Sequence, residues 1–417
     1  MKTTKLYQFD AYIKEWDAKI TSVTGLSIPD LDIGYEGYIV TLDKTAFFPE
    51  GGGQSCDTGC INEFQVIDVQ EKNSEIYHTV IAASDKLSVN QNVQCTLNWE
   101  RRFDNMQRHC GEHILSGVFY SLYGGVNRGF HMGDSYMTID INLEENPEFK
   151  EITCEMAAIA QLEANKVIWS DAPVTVLRFD SRQEAEKMPL RKALAFDEDI
   201  SIVSVGSTEN AADCVACCGT HPSSAGQVGL IKIYKTEKYK DMFRVYFDAG
   251  QRALENYNMK HDILTKLSSG YSSSIEEFPD KLKAQEEKLA SVKNELFHLK
   301  KSFIKNECIK LDTLISENQQ NVIIYSLADL SLDDAFNMGK NYMGKKHQKL
   351  IMLYAEKETS YILISGGKID CGKLVREYAS FYGGKGGGNN ISARAIFTSA
   401  ENAELFADLI QKHLKDN

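Results

Sequence analysis

Two pairs of candidate metal ligands, about a hundred residues apart, place the strongest constraint on how this chain folds. In RHCGEH, His109 and His113 are four residues apart in a segment with helical spacing, so both imidazoles fall on one face. In DCVACCGTHP, Cys217 and His221 are again four apart, but the glycine and the proline beside them indicate a loop. Zinc prefers imidazole and thiolate ligands in tetrahedral geometry. Together, the two pairs predict a four-ligand zinc site.

Three other interpretations of these residues stay open. A closed site of cysteine and histidine could staple the fold without taking part in chemistry. Cys214 and Cys217 form a C-x-x-C pair that could supply ligands instead, although this set leaves His221 unexplained. Finally, RHCGEH contains the H-x-x-E-H pattern of a class of zinc peptidases, in which Glu112 would be the general base. The peptidase hypothesis leaves Cys217 without a role.

A glycine-rich loop, TAFFPEGGGQSCDTGC, lies between two strand-like runs. Gly52 and Gly53 leave backbone N–H groups unhindered, and such groups can donate hydrogen bonds to a developing oxyanion. A tight turn between strands is the alternative, but three consecutive glycines cost backbone entropy that a turn alone would hardly need. Just upstream, Thr45 has a hydroxyl that could contact a small polar group of a substrate.

The pattern along the chain predicts an α+β protein with four parts. Residues 1–95 carry short strand-like runs separated by turn residues, which predict a β-rich, barrel-like domain. Residues 96–250 mix strands with helices, one of them over 105–122, and would contain the zinc site. A helical connector is predicted over 251–318. Alternating strands and helices predict a small α/β domain over 319–417.

The connector has the spacing of a coiled coil, about four heptads long, with charged residues between its apolar positions. The apolar positions that recur every seven residues are Ile275, Leu282, Leu289, Leu296 and Phe303. Pro279 interrupts the start of the pattern, which favours a helical hairpin between two domains over a long free coiled coil. Two interpretations remain: the helix packs on its own chain, or it pairs with a second copy.

The C-terminal part contains a second glycine-rich segment, YGGKGGGNN, which we predict to be a loop. It lacks the order of a phosphate-binding P-loop, because no serine or threonine follows its lysine. Basic residues near this segment indicate a nucleic-acid contact, with solvated surface lysines as the alternative. The predicted RNA-binding residues are Lys345, Lys346, Lys385 and Arg394.

Composition and charge exclude several classes of protein. The chain has 43% hydrophobic and 25% charged residues, as a folded soluble protein does, and no apolar run approaches the roughly 20 residues that span a bilayer. The net charge of −13 argues against broad non-specific binding to nucleic acid, but not against a local basic patch. Ten cysteines in this length, several beside histidines, favour reduced thiols and a cytoplasmic location. No secretory signal is visible.

Four motifs, in order along the chain, resemble the editing domain of alanyl-tRNA synthetases. They are TAFFPEGGGQSCDTG, the H-x-x-x-H of RHCGEH, GFHMGDSYMTIDI and CCGTHPSSAGQVG. The resemblance spans roughly residues 1–250, and the region from about 320 is similar to the small glycine-rich domain at the C-terminus of those synthetases. We expect no aminoacylation domain before the editing part, because the chain as given starts almost at the first motif. We therefore expect a freestanding alanyl-tRNA editing protein of the long type.

The resemblance implies a trans-editing hydrolase that deacylates tRNA(Ala) carrying serine, with glycine as the second candidate. It implies Zn²⁺ held by the same two histidine and cysteine pairs, and a pocket lined by the glycine-rich loop. The catalytic residues predicted in this way are Thr45, Gly52, Gly53 and Gln54. One departure is Cys218, where the family often has glycine; an extra thiol beside the metal could alter its ligation or redox sensitivity.

The competing hypotheses are a zinc-stapled RNA-binding protein without hydrolase activity and an H-x-x-E-H peptidase. In the editing hypothesis, zinc either activates water or organises the substrate, and four simultaneous ligands favour the second role. The expected partner is mischarged tRNA(Ala). A homodimer could form through the connector or the C-terminal domain, and no membrane association is expected.

Overall fold

The computed structural model describes residues 2–29, 35–83, 87–146, 148–195, 197–207, 210–344 and 348–415. These residues form two compact units, Met1–Leu267 and Ser268–Asn417. Both units mix helices with strands, so the predicted combination of α and β structure is confirmed. The four-part division is finer than these two units and stays a prediction. No helix among the described residues is both long and apolar enough to cross a membrane.

A closed six-stranded barrel forms the first part of unit 1. Its strands follow the order β2–β3–β7–β6–β5–β8 around the barrel, and β1 pairs with β4 beside it. The strands are β1 (Thr4–Lys5), β2 (Glu15–Leu26), β3 (Tyr35–Leu42), β4 (Lys44–Thr45), β5 (Gly59–Ile61), β6 (Phe64–Lys72), β7 (Glu75–Ala83) and β8 (Asn92–Leu97). Apolar side chains alternate along β2 and β8 and fill the interior, as a small barrel requires.

The rest of unit 1 contains two antiparallel sheets, with strand orders β14–β15–β10–β9 and β11–β12–β13. Its elements are α1 (Trp99–Tyr123), β9 (Val126–Met132), β10 (Met137–Asn142), α2 (Cys154–Trp169), β11 (Val174–Phe179), α3 (Arg182–Ala185), β12 (Ile200–Ser207), β13 (Asn210–Ala216), β14 (Ile231–Tyr239), β15 (Met242–Ala249) and α4 (Gly250–Gly270), whose last residues from Ser268 belong to unit 2. Helix α1 packs against strands of both sheets and against α2. Its apolar residues therefore join the main core of the unit.

Helix α1 has clear start and stop signals. The side chain of Asn98 accepts a hydrogen bond from the Arg101 N–H at the N-terminus, and Gly124 adopts a left-handed conformation at the C-terminus. The helix contains the predicted segment 105–122 and is buried for most of its length. Glycine permits close packing at Gly117, where a Cβ atom would lie 2.0 Å from the Ala212 carbonyl oxygen in β13.

A buried ion pair joins α1 to the barrel. The guanidinium of Arg102 bonds both carboxylate oxygens of Asp57, and neither side chain is exposed. The same guanidinium donates to the carbonyl oxygens of Ala11 and Ala46, while Asp57 also accepts the Phe48 N–H. Because every group in this network has partners, two charges can be kept away from water. The network fixes where the helix begins relative to the barrel.

Unit 2 has one five-stranded sheet, with strand order β16–β17–β18–β20–β19. Its elements are α5 (Phe278–Glu317), β16 (Val322–Leu327), α6 (Leu332–Gly339), β17 (Leu350–Ala355), β18 (Ser360–Ser365), α7 (Cys371–Tyr378), β19 (Lys385–Gly388), β20 (Ser392–Ile396) and α8 (Ala400–Lys415). Residues of α5 and α6 pack with one face of the sheet, and residues of α7 and α8 pack with the other. The unit thus mixes strands and helices, with β17 followed directly by β18 and β19 by β20, and the predicted domain over 319–417 stays a prediction.

One local prediction for this unit is wrong. The YGGKGGGNN segment is not only a loop, because Lys385–Gly388 form the edge strand β19 on β20. Its glycines allow close pairing: a Cβ atom at Gly386 would lie 1.9 Å from the Arg394 carbonyl oxygen. The helical pattern is interrupted before Pro279, as predicted, because α4 ends at Gly270 and α5 begins at Phe278. Pro279 lies in the first turn of α5, where its missing N–H needs no partner. Ile275 accordingly precedes the helix.

We expect Asp57→Ala to destabilise unit 1 strongly. The substitution leaves the buried Arg102 guanidinium without its carboxylate, so the free energy of unfolding should fall by about 3–5 kcal/mol. Urea denaturation followed by circular dichroism measures the change. Glu145→Ala is the matched control, because it removes an ion pair with Arg128 in which both side chains are about half exposed, at a cost of at most about 1 kcal/mol. Equal losses for the two variants would contradict the interpretation.

Candidate metal centre and its surroundings

The structure brings together the four residues that the sequence predicted as metal ligands. His109 and His113 lie one turn apart on α1, and Cys217 and His221 lie in the loop after β13. The candidate ligand atoms of these residues all lie within 4.8 Å of one another. Within the described parts of the chain, this is the one such group of histidine, cysteine and acidic residues. The three histidines are buried, and Cys217 is partly exposed.

The spacing and chemistry of the cluster suit a zinc ion. The Cys217 Sγ atom lies 3.5 Å from His109 Nε2 and 3.4 Å from His221 Nε2. Tetrahedral zinc, with its usual bond lengths to sulfur and nitrogen, would separate such ligand atoms by roughly 3.6 Å. The donor set of one thiol and three imidazoles is also one that zinc accepts readily. The residues present therefore fit this metal.

The cluster favours the thiolate form of its cysteine. Burial raises the pKa of the Cys217 thiol, but the three imidazoles outweigh it and hold that pKa well below its usual range. Burial lowers the pKa of His113, whereas Cys217 and Asp213 raise it, and the net result lies well above the usual value. Burial lowers the pKa of His221 to about 4. A divalent cation would take over the role of the proton that balances the thiolate.

The outer nitrogens of two histidines have partners that orient the rings. His109 Nδ1 lies 2.9 Å from Gln54 Oε1, and His113 Nδ1 lies 2.8 Å from Asp213 Oδ2. Both contacts leave Nε2 free to face the cluster. Gln54 is fully engaged, because its Oε1 also accepts the Thr220 N–H and its Nε2 donates to the Thr220 hydroxyl. The described contacts of Gln54 thus support a candidate ligand and the loop that carries the other pair.

Asp213 is absent from the residues predicted from sequence. The available signal was a carboxylate within the DCVACCGTH motif itself, close to a metal-ligand candidate. Sequence alone does not show that its side chain reaches His113, a hundred residues earlier.

The glycine-rich loop is a tight turn beside the cluster. Gly51 and Gln54 exchange two backbone hydrogen bonds of 3.1 and 3.0 Å, and both residues between them have positive φ, Gly52 at 60° and Gly53 at 81°. Two glycines are therefore required by the turn itself. The prediction that a turn alone would hardly need these glycines is wrong for Gly52 and Gly53, because both have positive φ. Both are exposed at the tip of the turn.

The exposed side of the cluster is bordered by this turn, by Phe130 and by Cys218. The Phe130 ring stacks on the His109 ring with centroids 5.8 Å apart, and a Cβ atom at Gly53 would meet Phe130 at 2.5 Å. A Cβ atom at Gly52 would lie 3.1 Å from the Cys218 Sγ atom. The glycines thus leave room for these two side chains next to the candidate ligands. Cys218 is exposed.

Thr45 lies in a different environment from the one predicted. It is buried, and its hydroxyl lies 3.0 Å from His78 Nε2 and accepts the Phe47 N–H. His78 is buried as well, which lowers its pKa to about 4, and its Nδ1 is bonded to the Val40 carbonyl oxygen. A neutral His78 therefore accepts the proton of the Thr45 hydroxyl. The described contacts of Thr45 run to the barrel interior, and a direct contact with substrate stays a prediction.

Neither rival assignment is favoured by the geometry. The Glu112 carboxylate accepts hydrogen bonds from the Ser116 hydroxyl and the Asn127 amide, at 2.6 and 2.7 Å, instead of serving the cluster. This is the role of a buried structural carboxylate, not of a peptidase base. Cys214 packs in a small apolar cluster with Ile200 and Ile202, and burial raises the pKa of its thiol. The C-x-x-C alternative is thus not supported.

Two of the four predicted RNA-binding residues can be placed. Lys345 and Lys346 lie outside the described residues. Lys385 is exposed at the start of β19, and Arg394 is on the adjacent strand β20. The Arg394 guanidinium is 3.5 Å from an Asp333 carboxylate oxygen and lies over the Phe336 ring. Lys385 and Arg394 lie close in register on the paired strands β19 and β20 of unit 2.

Three family models match parts of the chain. Residues 2–101 match class II (A) tRNA synthetases, and residues 200–246 match the second additional domain of threonyl and alanyl tRNA synthetases. Residues 319–416 match the DHHA1 domain. With the four-residue cluster, these matches define the class of protein: an editing module of the tRNA synthetase type followed by a DHHA1 domain.

Similar proteins narrow this class. The alanyl-tRNA editing protein AlaX-L of Pyrococcus horikoshii is 29% identical over 98% of each chain. The alanyl-tRNA editing protein Aarsd1 of Mus musculus is 30% identical over 67% of this chain and 66% of its own. The alanine–tRNA ligase of Pyrococcus abyssi is 27% identical over 99% of this chain, which spans only 44% of that ligase. The chain belongs to the family of alanyl-tRNA editing proteins, as its motifs predicted.

We expect Gln54→Ala to weaken zinc binding by roughly 10- to 100-fold, because His109 loses the partner that orients its ring. Competition with a chromophoric chelator measures the dissociation constant. Gln70→Ala is the control, since the Gln70 amide makes only exposed contacts, with Glu50 and Asp68, and should leave the constant unchanged. Unaltered zinc affinity in Gln54→Ala would contradict the supporting role.

Proposed function

We propose that this chain hydrolyses the ester bond of mischarged tRNA(Ala), removing serine and, as the second candidate, glycine. The observation that carries the proposal is the convergence of His109, His113, Cys217 and His221 from two distant segments. The names of the similar editing proteins support the same substrate class. The chain is thus an aminoacyl-tRNA hydrolase that acts in trans, and the cytoplasm, where tRNA is charged, is its expected location.

Binding physics explains why such a hydrolase is needed. A pocket that accepts alanine cannot strongly exclude the smaller glycine, and an apolar site rejects one added hydroxyl poorly. Discrimination by a single methyl or hydroxyl group is worth only about 1–3 kcal/mol. When a second site hydrolyses the wrong products, the overall selectivity is the product of the selectivities of the charging site and the hydrolytic site. A separate protein can supply this second site.

Zinc, when bound by the four residues, supplies Lewis-acid chemistry and a fixed charge that can organise the substrate. We place the approach of the aminoacyl group on the side of the cluster where Cys218 and the glycine turn are exposed. That approach passes the exposed tip of the glycine turn, where the N–H groups of Gly52 and Gly53 can donate to the ester carbonyl oxygen as it gains charge. Gln54 acts behind them by holding His109.

A contact between Thr45 and the substrate requires a change in the hydrogen bonds of Thr45. For its hydroxyl to contact the hydroxyl or amine of the substrate, it must exchange its hydrogen bond with His78. The His78 imidazole then loses a partner in a buried position, which has a cost of about 1–3 kcal/mol. The substrate contact has to offset this cost.

In unit 2, Lys385 and Arg394 are the described cations that we propose for contact with the tRNA. Arg394 pairs with the exposed Asp333 at 3.5 Å, so a phosphate can replace that carboxylate at little cost. A homodimer through the connector or the C-terminal domain remains part of the proposal.

The direct test is deacylation of Ser-, Gly- and Ala-charged tRNA(Ala), with and without a chelator. We expect release of serine, slower or no release of alanine, and loss of activity on chelation. Cys217→Ala should abolish deacylation and lower zinc content, because the thiolate is a ligand. If Cys217→Ala retains both its deacylation activity and its zinc content, the assignment of Cys217 as a ligand is wrong. Protein that binds tRNA with its metal fully loaded but releases no amino acid would instead establish the RNA-binding alternative.

Glu112→Gln separates editing from peptidase chemistry. We expect at most a modest loss of deacylation, since a glutamine oxygen can still accept the hydrogen bonds of Ser116 and Asn127. A general base of a peptidase would lose almost all activity on the same substitution. The measurement is the rate of serine release, with thermal unfolding as the control for folding.

A further inference from the structure

The three imidazoles of the cluster differ in what supports their outer nitrogens. His109 contacts the neutral amide of Gln54, whereas His113 contacts the carboxylate of Asp213 at 2.8 Å. His221 Nδ1 is buried and has no hydrogen-bond partner among the described residues. His113 is therefore the member of the cluster whose outer nitrogen has a charged partner. Hydrogen bonds to a charged acceptor are roughly twice as strong as neutral ones.

The Asp213 side chain is completely buried and uses both of its oxygens. Oδ2 bonds His113 Nδ1, while Arg191 donates from Nε to Oδ1 at 2.5 Å and from Nη2 to Oδ2 at 3.1 Å. A lone carboxylate in this position would be costly, so its charge depends on Arg191.

Arg191 comes from an irregular segment, residues 186–195, which we call the strap. Its backbone N–H donates to the Cys214 carbonyl oxygen on β13 at 2.8 Å, and its side chain is only 5% exposed. Leu190 and Leu194 of the strap pack in the small apolar cluster beside β13. The backbone and side chain of Arg191, together with Leu190 and Leu194, thus attach the strap next to the metal-ligand candidates.

We propose that Arg191 and Asp213 are positioning residues for the metal ligand His113, and that they couple the order of the strap to metal binding. The pair holds the proton on Nδ1 and fixes the ring, so that Nε2 faces the other three ligands. In return, a metal ion that immobilises His113 also immobilises Asp213 and Arg191. The proposal rests on the zinc site of the proposed function, but not on the hydrolysis.

The alternative is that the pair only holds the strap in place. A second and more exposed ion pair in unit 1 offers a comparison: Arg244 also binds Asp140 bidentately, at 2.7 and 2.8 Å, between β15 and β10. This pair joins two strands without contacting a metal-ligand candidate. A structural role predicts similar consequences for both pairs, whereas a positioning role predicts a difference in metal affinity.

Chelator competition on the full chain measures the zinc dissociation constant of Asp213→Asn, Arg191→Met, Arg191→Lys and Asp140→Asn. We expect Asp213→Asn and Arg191→Met to weaken zinc binding by roughly 10- to 100-fold. Arg191→Lys, which retains the charge but not the bidentate contact, should recover part of the affinity. Asp140→Asn should leave it unchanged. Equal effects of Asp213→Asn and Asp140→Asn, or no effect of either, would overturn the proposal.

Amide hydrogen exchange tests the coupling to the strap. Zinc should slow exchange of residues 186–195 in the unchanged chain, and Arg191→Met should remove most of this protection even at saturating zinc. Zinc-dependent protection that persists in Arg191→Met would overturn the coupling. Both readouts, the zinc dissociation constant and the exchange protection of the strap, report metal binding. If the chain releases no serine but shows the expected results in both, the hydrolase proposal is refuted and this proposal is supported.

Discussion

Helix α1 depends on one constraint: polar side chains buried along it must each find a partner on another element. Arg102 bonds Asp57 beside the barrel, Arg108 bonds Asp248 of β15, and His113 bonds Asp213 of β13. An unpaired buried charge would cost several kcal/mol, so these contacts allow few other arrangements of the surrounding elements. The barrel and both sheets of unit 1 are placed around the helix by contacts of this kind.

The candidate metal centre is a consequence of the same arrangement. His109 and His113 project from a helix that is buried for most of its length, and the loop with Cys217 and His221 is held against them from the barrel side. Gln54 makes that connection, because one amide group contacts both His109 and Thr220. Three imidazoles and a thiol are thereby concentrated in a mostly buried space. For four donors held this close together, binding one metal cation is more favourable than hydration of each donor separately.

Much of the site was predictable because its chemistry is local in sequence. Two histidines four residues apart on a helix lie on the same face, and the glycine within CCGTH indicates that this motif forms a loop. Contacts between distant segments were not predictable in this way. Asp213 supports His113, and Gln54 supports His109, through side-chain directions that no spacing rule describes. For the glycine turn, the sequence predicted a functional reason for glycines that the backbone conformation of the turn already requires, since Gly52 and Gly53 have positive φ.

The sequence by itself determined the candidate ligands, the helix that carries two of them, the mixture of strands and helices, and the family. These follow from periodicity, residue chemistry and motif order, which are properties of short segments. Only the tertiary structure decided that Glu112 bonds Ser116 and Asn127, that Thr45 faces His78, and that β19 is a strand. The physical reason is that a buried polar group takes whichever partner the packed chain brings within about 3 Å, and that partner is set by the whole fold.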